Sequence, residues 1–354
     1  MPMNASQSTH TQFWVLGAIA VAVLVALFVF GRSVSITQAQ GSDTRELTWV
    51  ITHKPIEVFD RAKTVFADEF NKDSDTKISL RILGPDDFDT AAERLGTKDV
   101  FRMMNRGEVQ IGTVVLNSLY AEVPEASLFS LPYLFKDDAA VDVVFNSAVG
   151  KGILDTMTER LPVRALAFTF SGGWLVLQSN TSVFQKPADF RNKSLATVNG
   201  GMSMDVLAST GADVVKLDGA SVSNREVNES LEKFDGIETV FTRLHKMDSP
   251  KFVTETKHAL FVTSVLVDKA FYASLSERDQ RAFDRAATAA AVAERTDSRQ
   301  LAEDNKQDLL SRGTQIVGLS EEERAALALK MQSVYAAYEQ AVGKGTIEKV
   351  QALQ

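Results

Sequence analysis

The chain of 354 residues contains no cysteine. Disulfides, thiolate nucleophiles, cysteine-ligated zinc and a lipid-modified N-terminal cysteine are therefore excluded together. Histidine is nearly as scarce, with four residues at positions 10, 53, 245 and 258, and none stands at a metal-ligand spacing from another histidine or a carboxylate on an expected helix. Asp86, Asp87 and Asp89 could together hold a cation, but they read as a solvated acidic loop. Also missing are a Gly-x-Ser-x-Gly elbow, a Walker loop and a strand-linked Gly-x-Gly-x-x-Gly. The expectation is a protein that is not an enzyme and carries no cofactor. The net charge of −8 and the lack of a basic stripe argue against nucleic acid. No internal repeat or low-complexity segment is present.

What is present is a large apolar complement. The composition is 45% hydrophobic and 24% charged, enough to bury a sizeable core and to form two lobes rather than one. Near the N-terminus, Phe13 to Phe30 runs 18 residues without a charge. As a helix it would reach roughly 27 Å, close to the thickness of a bilayer core. It reads as a signal peptide or a membrane anchor. Its length and the absence of a preceding Lys or Arg favour an anchor, whereas Thr37-Gln-Ala39 offers a small-residue cleavage site. Arg32 and Arg45, which follow the run, would by the positive-inside rule keep the rest of the chain in the cytoplasm. Gly31 to Arg45 is polar and reads as a linker.

Beyond it, strand and helix patterns alternate. Glu46–Thr52 reads as a strand, Pro55 opens a helix bearing Phe59, Ala62, Phe66 and Phe70 at helical spacing, and Lys77–Leu83 and Val109–Leu116 read as further strands. That order predicts a parallel sheet with ligand sites outside the carboxyl ends of its strands, where His53, Gly84–Asp87 and Asn117 fall. A second block begins near Arg164. Ala165–Phe170 and Trp174–Gln178 are strand-like and separated by Ser171-Gly-Gly173, and Leu195–Val198 runs into Asn199-Gly-Gly201 and a helix through about Ser209. Ser276-Glu-Arg-Asp279 and Ser320-Glu-Glu-Glu323 mark helix starts, and the alanine-rich run 286–293 suits close helix packing, so the C-terminal region is expected to be helical scaffolding with a break around Gly313–Gly318.

One segment fits none of these patterns. Pro124-Glu-Ala-Ser-Leu-Phe-Ser-Leu-Pro-Tyr-Leu-Phe135 has two prolines bracketing a run that is too apolar to face water and cannot be a central strand. It must lie buried across the fold. Together with Asn105-Arg-Gly-Glu-Val-Gln-Ile-Gly112, Lys186-Pro-Ala-Asp-Phe-Arg-Asn-Lys-Ser-Leu195, Gly211-Ala212 and Ser230-Leu-Glu-Lys-Phe-Asp-Gly-Ile-Glu238, it resembles the extracytoplasmic solute-binding proteins of tripartite ATP-independent periplasmic (TRAP) transporters, in the family typified by the dicarboxylate-binding subunit. The resemblance runs from about Leu47 to about Gln280.

It implies an α/β, two-lobed periplasmic-binding-protein fold with an interlobe cleft and C-terminal helices. The expected organisation is an N-terminal segment and linker at 1–45, lobe I at 46–168, lobe II at 169–250, and a return to lobe I with the C-terminal helices at 251–354. It further implies export to the periplasm, against the count of flanking arginines. The partners would be a small-molecule solute, the TRAP membrane subunits and, if the N-terminal run is kept, the membrane. The alternative is a membrane-tethered sensor or scaffold that uses the fold without transport.

The cleft residues implied are His53, Asn117, Ser171, Trp174, Leu175, Ala196, Asn199, Met202, Thr239 and Phe241. Here the chain departs from the resembled pattern. The arginine that usually holds a substrate carboxylate falls on Ala196, a second on Leu175, and the amide after Asp-Gly-x-Glu on Thr239; no arginine lies between Arg191 and Arg225. A buried carboxylate needs a cation, and His53, Lys193, Arg225 and Arg243 are the candidates nearby. The expectation is therefore a neutral or more apolar solute lined by Trp174, Met202, Phe234 and Phe241, with simple carboxylates bound poorly. His258 is expected to be a satisfied structural histidine.

Overall fold

A computed structural model describes residues 44–88, 95–217, 229, 231–244, 249–343 and 345–354. The apolar run Phe13–Phe30, Asp89, Arg225, Ser230 and His245 lie outside the described residues. β1 (Thr44–Ile51) starts the sheet, exposed over its first three residues and then buried, with Leu47, Trp49, Val50 and Ile51 in the core. The expected helix after Pro55 begins later, because Glu57–Phe59 forms a 3-10 turn before α1 (Asp60–Asp73), whose Ala62, Phe66 and Phe70 supply its buried stripe. β2 (Lys77–Leu83), α2 (Thr97–Asn105) and β3 (Ile111–Val115) follow. β1 lies between β2 and β3 and is parallel to both, as the strand-helix alternation predicts.

Pro124–Ser130 folds into 3-10 turns, and the whole segment to Phe135 is threaded through the core. Phe129 meets Phe168 at 4.8 Å and Phe145 at 5.2 Å between ring centroids. Its far end is tied down by Tyr133 N–H donating to the His258 carbonyl at 2.7 Å. α3 (Asp138–Phe145) and α4 (Ala148–Arg160) lead to β4 (Val163–Ser179).

β4 joins two halves of the molecule. Sequence patterning divides it at Ser171–Gly173, but it runs as one 17-residue strand with a register shift between Thr169 and Gly173. Before the shift it pairs with β9 (Leu260–Asp268); after it, Leu175–Ser179 pairs with β7 (Gly236–Val240) and β8 (Phe252–Glu255). The kink has its backbone signature in Ser171 at φ 47° and Gly173 at φ 69°. At Gly172 an added Cβ would lie 2.7 Å from Val240 Cγ2, so the close approach of β7 requires glycine.

The first half of the sheet reads β2-β1-β3-β9-β4. β9 is antiparallel to both neighbours, so the sheet is mixed rather than wholly parallel. The second half continues β4-β7-β5-β6, with β5 (Ser194–Thr197) parallel to β6 (Asp213–Lys216) and β7; β8 and β10 (Gln315–Gly318) complete it on the other side of β4. Short helices α5 (Pro187–Phe190) and α6 (Met202–Ala208) flank β5, and α7 (Lys269–Ser274) follows β9.

α8 (Glu277–Ser311) is 35 residues long, roughly 52 Å, and lies along both halves. Its N-terminal part packs Phe283 among Phe66, Phe70, Phe271 and Tyr272, and its C-terminal part places Leu309 against Val176 and Phe241. Ala286, Ala287, Ala290 and Ala291 are buried between, letting the helix lie close to the sheet. α9 (Glu321–Val342) and α10 (Thr346–Ala352) close the chain. Ser276 and Ser320 cap α8 and α9 through Asp279 N–H and Glu323 N–H.

Phe283→Ala is expected to destabilise the protein by about 3–5 kcal/mol, since it empties the centre of that aromatic cluster. Leu329→Ala, at a side chain 72% exposed, should change stability by no more than about 0.5 kcal/mol. Urea denaturation of both variants checks the pair, and similar midpoints would refute the packing assignment.

Candidate functional site

Parallel strands deliver their carboxyl ends to one edge of a sheet, and in both halves those ends face a common cavity of about 450 Å³. From the first half come Thr52 after β1, Val115 at the end of β3, and Asn117 and Ser118 in the 3-10 turn that follows it. From the second come Asn199, Gly200 and Gly201 after β5, Lys216 at the end of β6, and Arg243 in the 3-10 turn after β7. Phe261, at the start of antiparallel β9, lines the floor.

The halves touch across this cavity where Asn117 Nδ2 donates to Asn199 Oδ1 at 2.8 Å. Asn199 is fixed from behind. Its Nδ2 donates to buried Glu238 Oε2 at 2.9 Å, which also accepts from Thr197 Oγ1 at 2.6 Å; Glu238 Oε1 bonds His258 Nε2 at 3.0 Å. His258 Nδ1 in turn meets Thr256 Oγ1 at 2.8 Å, so this histidine is hydrogen-bonded at both nitrogens. A residue that sequence reasoning missed, Glu238, thus organises the cavity wall, and its signal was the Asp235-Gly-Ile-Glu238 run.

The family model for bacterial extracellular solute-binding protein, family 7, matches residues 52–341. The chain belongs to that family. It is 27% identical over 240 residues to a solute-binding protein of Roseobacter denitrificans, covering 66% of this chain and 69% of the relative. It is also 27% identical to a C4-dicarboxylate-binding periplasmic protein of Shewanella loihica, over 68% of this chain and 71% of that one. A TRAP periplasmic solute-binding protein from Shewanella oneidensis, crystallised with bound succinate, shares the fold at a TM-score of 0.75 and 18% identity, covering 88% of this chain and 99% of its own. The two-lobed α/β fold expected from the resemblance is the one observed.

Of the residues expected in the cleft of this family member, Asn117 and Asn199 line the cavity. His53 lies buried beneath it, its ring 5.8 Å from that of Phe261. Ser171 is buried at the kink of β4. Trp174 and Phe241 gather at a second, smaller cavity of about 140 Å³ beside α8, where Trp174 Nε1 donates to Asp138 Oδ1 at 2.8 Å. Ala196 is buried with Val176, Ile237 and Phe241 in an apolar cluster of the second half, and Leu175 packs with Val115, Val240 and Phe261. Met202 sits in the main core, and Thr239 is buried on β7. Of the candidate cations, Lys193 is paired with Asp235 at 2.9 Å, whose carboxyl it holds below the usual range. Arg243 lines the cavity. In the acidic loop, Asp86 pairs with Lys54 and Asp87 accepts from Gly84 N–H.

Two buried titratable groups flank the cavity and the kink. Burial, reinforced by the nearby Arg243 charge, depresses His53 to about 3, so its ring is neutral. Glu294 of α8 accepts from Phe170 N–H at 2.8 Å and Ser171 N–H at 2.7 Å, and burial outweighs these donors and raises its carboxyl to about 7. Between about pH 3 and 6.5 the unfolded chain binds the His53 proton and the native protein does not, so that term makes stability rise with pH. Between about pH 4.5 and 7 native Glu294 holds a proton that the unfolded chain releases, so its term makes stability fall as pH rises.

In the shared window the slopes oppose, each reaching at most about 1.4 kcal/mol per pH unit. Glu294→Gln should therefore expose a melting temperature that climbs with pH up to about 6.5, and His53→Gln one that declines up to about 7. A calorimetric pH series that found the same slope in both variants would sink this assignment.

Proposed function

We propose that this protein is the extracytoplasmic solute-binding subunit of a TRAP-type transporter and captures a small organic solute in the cavity between its two halves. The observation that carries the reading is the cavity of about 450 Å³ walled by the strand ends of both halves and bridged by Asn117 and Asn199. A solute seated there touches both walls, so it favours the closed arrangement by its differential affinity, and the membrane subunits recognise that arrangement. The Shewanella relatives, one described as binding C4-dicarboxylates and one holding succinate, support a small-solute reading. Nothing among these relatives favours a sensor or scaffold.

The lobes of this proposal are 46–168 and 169–250, with 251–354 returning to the first, while β8 and β10 from that last span extend the second lobe's sheet. The partners are a small-molecule solute and the TRAP membrane subunits, and the location is the periplasm, with the apolar N-terminal run as the export signal. Among the described residues no helix is long and apolar enough to cross a membrane.

A thermal-shift screen of organic solutes tests the reading. A bound solute at 100 times its dissociation constant adds about 2.7 kcal/mol of stability. Small-angle scattering should then show compaction with any hit. Asn117→Ala removes the bridge and is expected to weaken the hit by about 0.5–1.5 kcal/mol, roughly three- to tenfold. Unchanged affinity in that variant would remove the bridge from the closure mechanism, and a screen without any hit would remove the function.

A further inference from the structure

We propose that the smaller cavity beside α8 is a second binding site, for a small neutral aromatic molecule bearing one hydroxyl or N–H group, and that its occupant favours the closed arrangement of the lobes. The coupling to closure rests on the solute-binding reading above; the site itself does not.

Size and lining set the class of ligand. The cavity holds about 140 Å³, close to the roughly 150 Å³ that takes a benzene ring in an apolar protein interior. Phe170, Trp174, Val176, Phe241 and Ala302 give it aromatic and aliphatic walls, and Gly172 and Gly173 add no side chain to fill it. One buried hydroxyl interrupts this surface. Ser298 is 1% exposed, lines the cavity, and has no hydrogen-bond partner for its Oγ. Thr288 and Thr296 of the same helix turn their hydroxyls back to the carbonyls of Asp284 and Val292, whereas Ser298 makes no such bond. Leaving a buried hydroxyl unpaired is costly, so a ligand group that reaches it removes a penalty the protein alone bears.

Charge around the cavity selects against ions. Lys257, Arg299 and Lys306 are matched there by Asp138, Glu255 and Glu303. Arg299 faces Asp138 at 3.6 Å, and Lys257 and Lys306 converge on Glu255 at 3.5 and 2.8 Å. A charged ligand would compete with these pairs, and a neutral ring leaves them intact. Position ties the site to lobe motion. Asp138 belongs to lobe I, Phe241 and Glu255 to the second half, Phe170–Trp174 to the kink of β4, and Ser298 to α8, so the shape of the cavity depends on the angle between the lobes. The turn Phe241–Arg243 gives its first residue to this cavity and its last to the larger one. The cavity has this size in the arrangement in which Asn117 meets Asn199. A molecule that fits it there prefers that arrangement, and by linkage it raises the affinity for solute.

Phenol is the probe, with toluene as the counterpart lacking the hydroxyl and benzoate and benzylamine as charged ones. On the intact protein, millimolar phenol should shift the nuclear magnetic resonance of the Trp174 indole N–H, which borders the cavity, and the charged compounds should not. Toluene should bind roughly three- to tenfold more weakly than phenol, and Ser298→Ala should weaken phenol by the same factor without weakening toluene. Ala302→Phe, which fills the space, should abolish the response to phenol. The chain has no cysteine, so Lys98→Cys and Val215→Cys, exposed beside the cavity-lining Thr97 and Lys216, can carry a unique pair of spin labels on the two lobes. Phenol should move their distance distribution towards the shorter spacing.

A Trp174 resonance unmoved by phenol would overturn the site, as would an equal response to the charged compounds or full phenol affinity in Ser298→Ala. Phenol binding with no change in the distance between the labels would overturn the coupling to closure. Neither readout uses a solute, so a solute screen without a hit would count against the solute-binding reading and leave the second site standing.

Discussion

The molecule turns on one buried carboxylate. β4 must leave one half of the sheet and enter the other, and at the kink the amides of Phe170 and Ser171 point away from any strand partner. Glu294, near the midpoint of the 35-residue helix α8, accepts both. A buried amide without a partner costs about 1–3 kcal/mol, so the kink is stable only where the helix supplies that acceptor. Neighbouring contacts reinforce the pairing. Arg295 donates to the Phe168 carbonyl and to Asp142, Arg299 lies over the Phe170 ring, and Ser171 Oγ joins Thr263 and Thr169 in a hydroxyl cluster. Helix and kinked strand therefore form a single brace from which both lobes extend.

The brace is wired to the cleft through backbone as much as side chains. Thr242, next to Arg243, donates to the Ser171 carbonyl, and Asn305 of α8 donates to the Phe241 carbonyl, so the turn that carries Arg243 is held by the kink on one side and the helix on the other. On the same half Glu238 connects Asn199 to His258, and the His258 carbonyl receives Tyr133 N–H from the apolar crossing segment. A solute that pulls Asn117 and Asn199 together thus acts on groups already tied to the crossing elements. That connectivity is what a two-state closure needs: few contacts at the mouth, rigid links behind it.

Much of this fold is legible in sequence because its signals are local. Strand-helix alternation gives the parallel trio β2-β1-β3, serine caps give the starts of α8 and α9, and an apolar run between two prolines gives a buried crossing. The unbroken strand at Ser171–Gly173 is not legible, since glycines read as a turn until Glu294, more than a hundred residues later, is known to satisfy the amides. Nor is the antiparallel setting of β9, because a fully buried strand shows the same apolar run in either direction. At the site, Asn117 and Asn199 both stand just past a strand and line the larger cavity, where the rule of strand carboxyl ends points. Trp174 and Phe241, expected in the cleft from the family resemblance and their apolar character, line the smaller cavity beside α8.

Ala196 shows why an absent residue is a poor guide to chemistry. An alanine there says only that one strand position carries no charge, while the charge of a cavity belongs to a volume that several strand ends share. Ala196, Lys216 and Arg243 are far apart in sequence, yet β5, β6 and β7 are adjacent strands whose carboxyl ends open on the same side. At Ala196 itself, Val176, Ile237 and Phe241 pack around the methyl group, so this strand position belongs to the apolar core, while the turn that begins at Phe241 carries Arg243 to the cavity.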